Sequence, residues 1–184
     1  MSILVDWQIK QAIESGIIGV EPYEAKLVQP NSLDVRLGNG FVGFPITGKD
    51  IDPRYEETYS DCEIVEYDWV RVHPHEFLLG TTLETITLPD NIVATIEGKS
   101  SLARLGITIH QTGGFIDAGF SGQITLEISN VNCRPVRLYS GMTIGQVVFY
   151  ETENAEVPYN KKKDAKYCGQ AGPTLSKYYE NVVV

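Results

Sequence analysis

Residues 97–130 read EGKSSLARLGITIHQTGGFIDAGFSGQITLEISN. The last third of that stretch decides the fold. Ile124, Leu126 and Ile128 alternate with Thr125, Glu127 and Ser129. A period of two puts the apolar groups on one face of a strand and the polar groups on the other. Just upstream, Gly113-Gly114, Gly119 and Gly122 mark tight turns after a short apolar run at 107–109. Working outward, further strand-like runs stand at 77–79, 83–88, 92–96, 136–139 and 143–150. Pro89-Asp90 and Ser140-Gly141 supply turn signals between them. Many short strands with one or two helical turns predict a mainly β sandwich or jelly roll and not a βαβ sheet.

Towards the N-terminus the signals are sparser. Asp6 is placed to cap a short helix running to Gly16, with Trp7, Ile9, Ile13 and Ile17 as a loose apolar stripe. Leu33, Val35 and Leu37 alternate with Ser32, Asp34 and Arg36, which predicts a half-buried strand between Pro and Gly turns. Residues 45–68 are rich in Asp, Glu and Tyr and poor in apolar periodicity, so they predict a long surface excursion with no legible function.

A chain of 184 residues with 42% hydrophobic and 21% charged residues is expected to be one globular domain, residues 1–184, with its own core. No apolar run approaches the roughly 18 residues of a membrane span. The start, MSILVDWQIK, lacks a basic region followed by a long apolar run, so the expected location is cytoplasmic and no membrane partner is expected. A net charge of −9 argues against a general nucleic-acid binder, which needs a basic surface. Five of the nine lysines nevertheless fall in the last 24 residues. An acidic body with a basic tail suits a small anionic ligand, although a solvated charge run is the plainer explanation. Cys62, Cys133 and Cys168 are odd in number and far apart, and read as inert thiols. His73 and His75 form the only close histidine pair, without evident further ligands nearby.

Two segments carry candidate chemistry. Gly98-Lys-Ser-Ser-Leu-Ala-Arg104 follows a strand, and Ser100 is a plausible N-cap with free N–H groups after it. Such a turn is either an anion site with Lys99 at its mouth or a capped surface helix with an exposed arginine. In a helix Ser100 and Arg104 would share a face. Glu127, flanked by Thr125 and Ser129, is either a solvent-exposed edge residue or a general base in a polar cleft. Asp117, in GGFIDAGFSG, can cap a turn or bind a hydroxyl.

Five segments together resemble the dCTP deaminase family, a branch of the trimeric dUTPase superfamily. They are PNSLDVRLG, EGKSSLARLG, HQTGGFIDAGFSGQITLEISN, GMTIGQVVF and YNKKKDAKYCGQAGPTLS. The resemblance implies a distorted β-barrel or jelly roll of the trimeric dUTPase type, with sites between subunits of a homotrimer. It implies that Ser100, Arg104 and Glu127 surround cytosine C4 and an attacking water, with Glu127 as the base. Arg104 would keep Glu127 ionised, since a neighbouring positive charge favours a carboxylate. The backbone near Thr112 and Gly113 would read the pyrimidine, Asp117 would accept from the sugar 3′-hydroxyl, and Phe120 would exclude a ribose. Lys99, Ser101, Tyr159, Lys166 and Gln170 would hold the triphosphate, the last three from a flexible tail, 159–184, that closes over the site. Mg²⁺ would travel on the phosphates, and dTTP is a candidate feedback inhibitor. Zinc deaminases need an H-x-E…P-C-x-x-C arrangement, which this sequence lacks, so no zinc is expected.

Two positions depart from the family pattern. Lys99 stands where arginine is usual, replacing a planar fork by a point charge. Gly113 stands where alanine is usual. The turn T-x-G-F-I-D around Gly114-Phe115 looks like that of members giving dUMP and pyrophosphate directly from dCTP. The alternatives are a deaminase that stops at dUTP, a plain dUTPase, and a non-enzymatic nucleotide-sensing trimer.

Overall fold

A computed structural model describes residues 2–181. In chain order the elements of the first half are β1 (Ser2–Ile3), α1 (Asp6–Glu14), β2 (Gly19–Glu21), β3 (Val28–Gln29), β4 (Ser32–Arg36), β5 (Gly40–Gly43), β6 (Ile64–Glu66) and β7 (Trp69–Val72). Then follow β8 (Phe77–Thr87), β9 (Ile92–Gly98), α2 (Ser100–Ala103), β10 (Ile107–Thr108), β11 (Phe115–Ile116), β12 (Ser121–Asn130), β13 (Val136–Tyr139) and β14 (Thr143–Glu151). One sheet runs β11-β9-β14-β4-β3, with β1 also on β14. The second runs β10-β12-β8-β5-β6, with β2 also on β8, and β7 pairs with β13 in a separate ribbon. The pairs are antiparallel, as expected of a mainly β jelly-roll-like fold, and the sheets stay open rather than closing as a barrel.

One core joins both sheets. Leu126 and Ile128 of β12 are fully buried with Phe149 and Val147 of β14, Leu33 and Val35 of β4, and Ile86 of β8. This is the alternation read from the sequence, realised as buried Ile124, Leu126 and Ile128 against half-buried Thr125, Glu127 and Ser129. The runs 77–79 and 83–88 are one strand, β8, whose eleven residues carry the longest pairing, with β12.

Three local expectations are corrected. Val5, not Asp6, sits at the N-cap of α1, and its N–H donates to Gln8 Oε1 at 3.0 Å while Asp6 opens the first turn. Of the proposed stripe Ile9 is buried, whereas Trp7 and Ile17 are 61% and 54% exposed. Strand β4 is not half-buried. Its polar side chains Ser32 and Asp34 are buried as well, because partners arrive from elsewhere in the chain. Ser32 Oγ donates to Gln146 Oε1 at 3.1 Å, and Asp34 takes Lys99 Nζ at 2.8 Å on each oxygen.

Residues 45–68 are largely exposed, as expected, but they are not featureless. Residues Glu56–Tyr59 form a 3-10 turn, β6 pairs with β5, and Tyr59 is buried. The C-terminal segment after 159 packs back along the second sheet; residues 182–184 of the expected tail lie outside the described residues.

Candidate active site

A pocket of about 490 Å³ lies on the polar face of β12. Its floor is Thr125 and Glu127, with Leu79 of β8 directly opposite Glu127 in the register. One wall is the turn that carries Gly113, Phe115, Asp117 and Phe120. Tail residues Tyr159, Tyr167, Gln170, Thr174 and Ser176 form the other side, and Phe44 and Phe77 close the apolar end, their rings 5.4 Å apart.

One Glu127 carboxylate oxygen is held by the backbone and the other is given room. The Gln111 backbone N–H donates to Oε2 at 2.7 Å. A Cβ at position 113 would stand 3.3 Å from Oε1, so glycine there gives the carboxylate room. The Gln111 side chain is itself tied down, its Nε2 donating to Ser129 Oγ at 3.0 Å, while Ser129 and Thr108 share a 2.7 Å hydroxyl contact. Gly114 has a physical reason too: a Cβ there would meet the Ile96 carbonyl at 3.2 Å and the His110 ring at 3.4 Å. Phe120 is buried, with its ring 6.2 Å from that of Tyr159, and Asp117 is exposed at the pocket rim.

The tail is stitched to the free edge of β12. Gln123 N–H donates to Gln170 O at 3.0 Å, Gly169 N–H to Ser121 O at 2.6 Å, and Thr174 N–H to Thr125 Oγ1 at 3.2 Å. Gln170 Nε2 donates to Gln123 O at 2.6 Å, which leaves its buried Oε1 without a partner. Gly122 makes this docking possible. Its φ is +151°, and a Cβ would stand 3.0 Å from Gln170 O and 3.1 Å from Gln170 N. Gly122→Ala is therefore expected to push the tail off the strand. Tryptic cleavage within residues 161–177 should accelerate several-fold in this variant, in line with about 1–3 kcal/mol for overpacking. An unchanged cleavage pattern would remove the tail's dependence on this glycine.

Of the residues singled out in the sequence, Gly113, Asp117, Phe120, Glu127, Tyr159 and Gln170 come together around this pocket. Ser100, Ser101, Thr112 and Arg104 are exposed and do not line it, and Lys166 points along its own tail, donating to Asn181 Oδ1 at 2.5 Å. Ser100 is not an N-cap: Lys99 takes that place with extended backbone, and α2 is a single turn, Ser100–Ala103. The expected i, i+4 relation survives, since Arg104 N–H donates to Ser100 O at 3.1 Å. Lys99 is not left free for an anion at that turn, being ion-paired with buried Asp34. Sequence reasoning missed Phe44, Phe77, Leu79, Gln111 and Tyr167. Gln111 and Tyr167 lay inside quoted motifs, but Phe44 and Phe77 carry no local signal.

An open, antiparallel two-sheet protein with a strand-borne carboxylate in a pocket flanked by its own C-terminal segment is a mainly β, jelly-roll-like fold. The description "dCTP deaminase-like" matches residues 3–152, and the chain belongs to that family. It is 59% identical over 180 residues to a protein of Methanospirillum hungatei JF-1 named "dCTP deaminase, dUMP-forming", covering 97% of each chain. A protein of that name from Dictyoglomus thermophilum is 47% identical, over 95% of this chain and 94% of its own. The solved 2'-deoxycytidine 5'-triphosphate deaminase of Agrobacterium tumefaciens superposes with a TM-score of 0.63 at 25% identity. That match covers 80% of this chain and 47% of the other. Among the described residues no helix is long and apolar enough to cross a membrane.

Proposed function

We propose that this chain is a dCTP deaminase of the dUMP-forming kind, consuming two waters and releasing ammonia and pyrophosphate. The observation that carries the reading is Glu127, a half-buried carboxylate fixed by Gln111 N–H on the floor of a pocket flanked by turn and tail. With cytosine on that floor, Glu127 takes a proton from water as the oxygen attacks C4. It then passes that proton to the departing amine, the proton left on the C4 hydroxyl moves to N3, and ammonia leaves as the C4 carbonyl forms.

Ser100 and Arg104 have no part in this chain's own pocket. In the proposal they come from a neighbouring copy in a homotrimer, Ser100 positioning the water and Arg104 holding Glu127 ionised. The exposed Leu105 and Val131, joined through the Val131 N–H to Gly106 O bond at 2.8 Å, give that surface the apolar character of a subunit contact. Backbone at Thr112 and Gly113 reads the pyrimidine, Asp117 accepts from the 3′-hydroxyl, and buried Phe120 fills the space a ribose hydroxyl would need. Ser101, Tyr159, Lys166 and Gln170 hold the triphosphate, which brings its own Mg²⁺. Gln170 Nε2 spends one of its two N–H donors on Gln123 O, which leaves the other to donate to a phosphate.

The onward step, a second water displacing pyrophosphate at the α-phosphorus, is supported by the Gly114-Phe115 turn and by relatives named as dUMP-forming. One incubation with dCTP and Mg²⁺, following all products, tests the reading. Ammonia, dUMP and pyrophosphate should appear in equal amounts with no free dUTP. Accumulating dUTP would reduce the chain to a deaminase alone. Hydrolysis of dUTP without ammonia from dCTP would remove the role given to Glu127.

A further inference from the structure

The acidic excursion, illegible in sequence, is where the tail ends up. Tyr59 is 3% exposed, and its hydroxyl donates to the Ser176 carbonyl at 2.8 Å. Three residues before it, Glu56 Oε1 accepts from the Tyr179 hydroxyl at 3.1 Å. Pro173, between these anchors and the β12 edge, lies so close to Gly40 that a Cβ there would stand 3.0 Å from its Cδ. Thus the tail is fixed at Gly169–Thr174 by β12 and at 176–179 by the excursion.

The excursion is built to hold Tyr59 in place. Arg54 Nε bonds Asp52 Oδ1 at 2.9 Å, which lowers the Asp52 carboxyl to about 2. Thr58 Oγ1 accepts from Asp52 N–H at 3.2 Å and lies 3.1 Å from Asp52 O, closing a knot one residue before Tyr59. Within the tail, Lys177 N–H donates to the Tyr167 hydroxyl at 3.0 Å, and Tyr167 N–H donates to the Tyr159 hydroxyl at 3.1 Å. A pull at Ser176 therefore reaches Tyr167 and Tyr159, both of which line the pocket.

We propose that Tyr59, seconded by Glu56, is a positioning residue for nucleotide binding: it latches the tail at Ser176 so that Tyr159, Tyr167 and Gln170 stand at the pocket. The latch does not touch the reacting atoms. It sets how much of the time the phosphate-binding side of the site is assembled, so its loss weakens binding without slowing chemistry in the closed complex. The kinetic part rests on the proposed dCTP reaction; the latch itself does not.

Tyr59→Phe keeps the ring and removes the hydroxyl, and Tyr179→Phe does the same at the second anchor. Each variant is digested with trypsin without nucleotide, following release of the fragment beyond Lys177 by mass spectrometry. Both should release it roughly three- to tenfold faster than the wild type, and the double variant faster still. With dCTP, KM should rise roughly fivefold for Tyr59→Phe while kcat stays within twofold. Unchanged cleavage overturns the latch, and faster cleavage with unchanged KM overturns its role in binding, as does a fall in kcat at constant KM. If the wild type turns over no dCTP, the proposed function fails, and the cleavage rates alone decide the latch.

Discussion

Glu127→Gln is expected to lower ammonia release from dCTP by about 10²–10⁴-fold, the range that a positioned general base contributes. The substitution is chosen because the surroundings ask for shape as much as for charge. Glutamine has the same length, and its amide oxygen can still accept the Gln111 N–H that now reaches Oε2 at 2.7 Å. Its amide nitrogen fits beside Gly113, where the absence of a Cβ leaves room on the Oε1 side. What glutamine lacks is a lone pair basic enough to take a proton from water. Calorimetry should therefore find dCTP binding within about threefold of wild type, since the loss is confined to the transition state. Ammonia release at the normal rate would show that another group is the base. A matched loss of binding would show that the carboxylate holds the nucleotide and does no proton transfer.

The parts of this site that were legible in the sequence are those encoded locally. Period-two alternation over 124–129 needs no partner strand to be read, and it put Glu127 on the face where the pocket lies. Gly113, Asp117 and Phe120 sit within one short turn, so a motif could carry them. Phe77 and Leu79 were beyond reach for a different reason. They come beside Ser129 and Glu127 only through the β8–β12 register, and register depends on the pairing of residues some fifty apart. Tyr59 and Ser176 are further apart still, and nothing in an Asp- and Glu-rich stretch announces a buried phenol.

The errors share a cause with the omissions. In β4, alternation of Ser32, Asp34 and Arg36 with apolar residues reads as a solvent face, and in an edge strand it would be one. Here β4 lies between β14 and β3, and its polar side chains find Gln146, Lys99 and Glu84. Local pattern gives the side of a strand; only the assembled sheets decide whether that side meets water. The same pairing explains Lys99. A lysine at the mouth of a presumed anion site reads as a phosphate ligand until buried Asp34 is found within 2.8 Å of it.

Glu84→Ala is expected to destabilise the fold by about 3–5 kcal/mol, the scale for removing one partner of a buried ion pair. Glu84 has a side chain only 1% exposed, on β8, and Arg36 closes β4 with 16% of its side chain exposed. The pair therefore spans the two sheets. Glu84 Oε1 takes Arg36 Nε at 2.6 Å, Oε2 takes the Arg36 backbone N–H at 2.8 Å, and the guanidinium also contacts Glu24. The hydrogen bond to Glu84, with the added attraction of Glu84 and Glu24, raises the Arg36 pKa. Without Glu84 the guanidinium still keeps its charge, because arginine ordinarily loses its proton only far above neutral pH. Nearby, the Gly38 N–H reaches the Thr81 carbonyl at 2.8 Å, and a Cβ on Gly38 would stand 2.8 Å from Thr81 Cγ2. With the sheets held this closely, water has little room to replace the lost carboxylate. For a chain of this length the loss corresponds to a fall in Tm of roughly 10 °C, measured by calorimetry or circular dichroism. Glu84→Gln keeps an acceptor for the Arg36 N–H and should lose less. A Glu84→Ala protein melting within about 2 °C of wild type would show that the sheets are held by the shared apolar core alone, with the ion pair contributing nothing net.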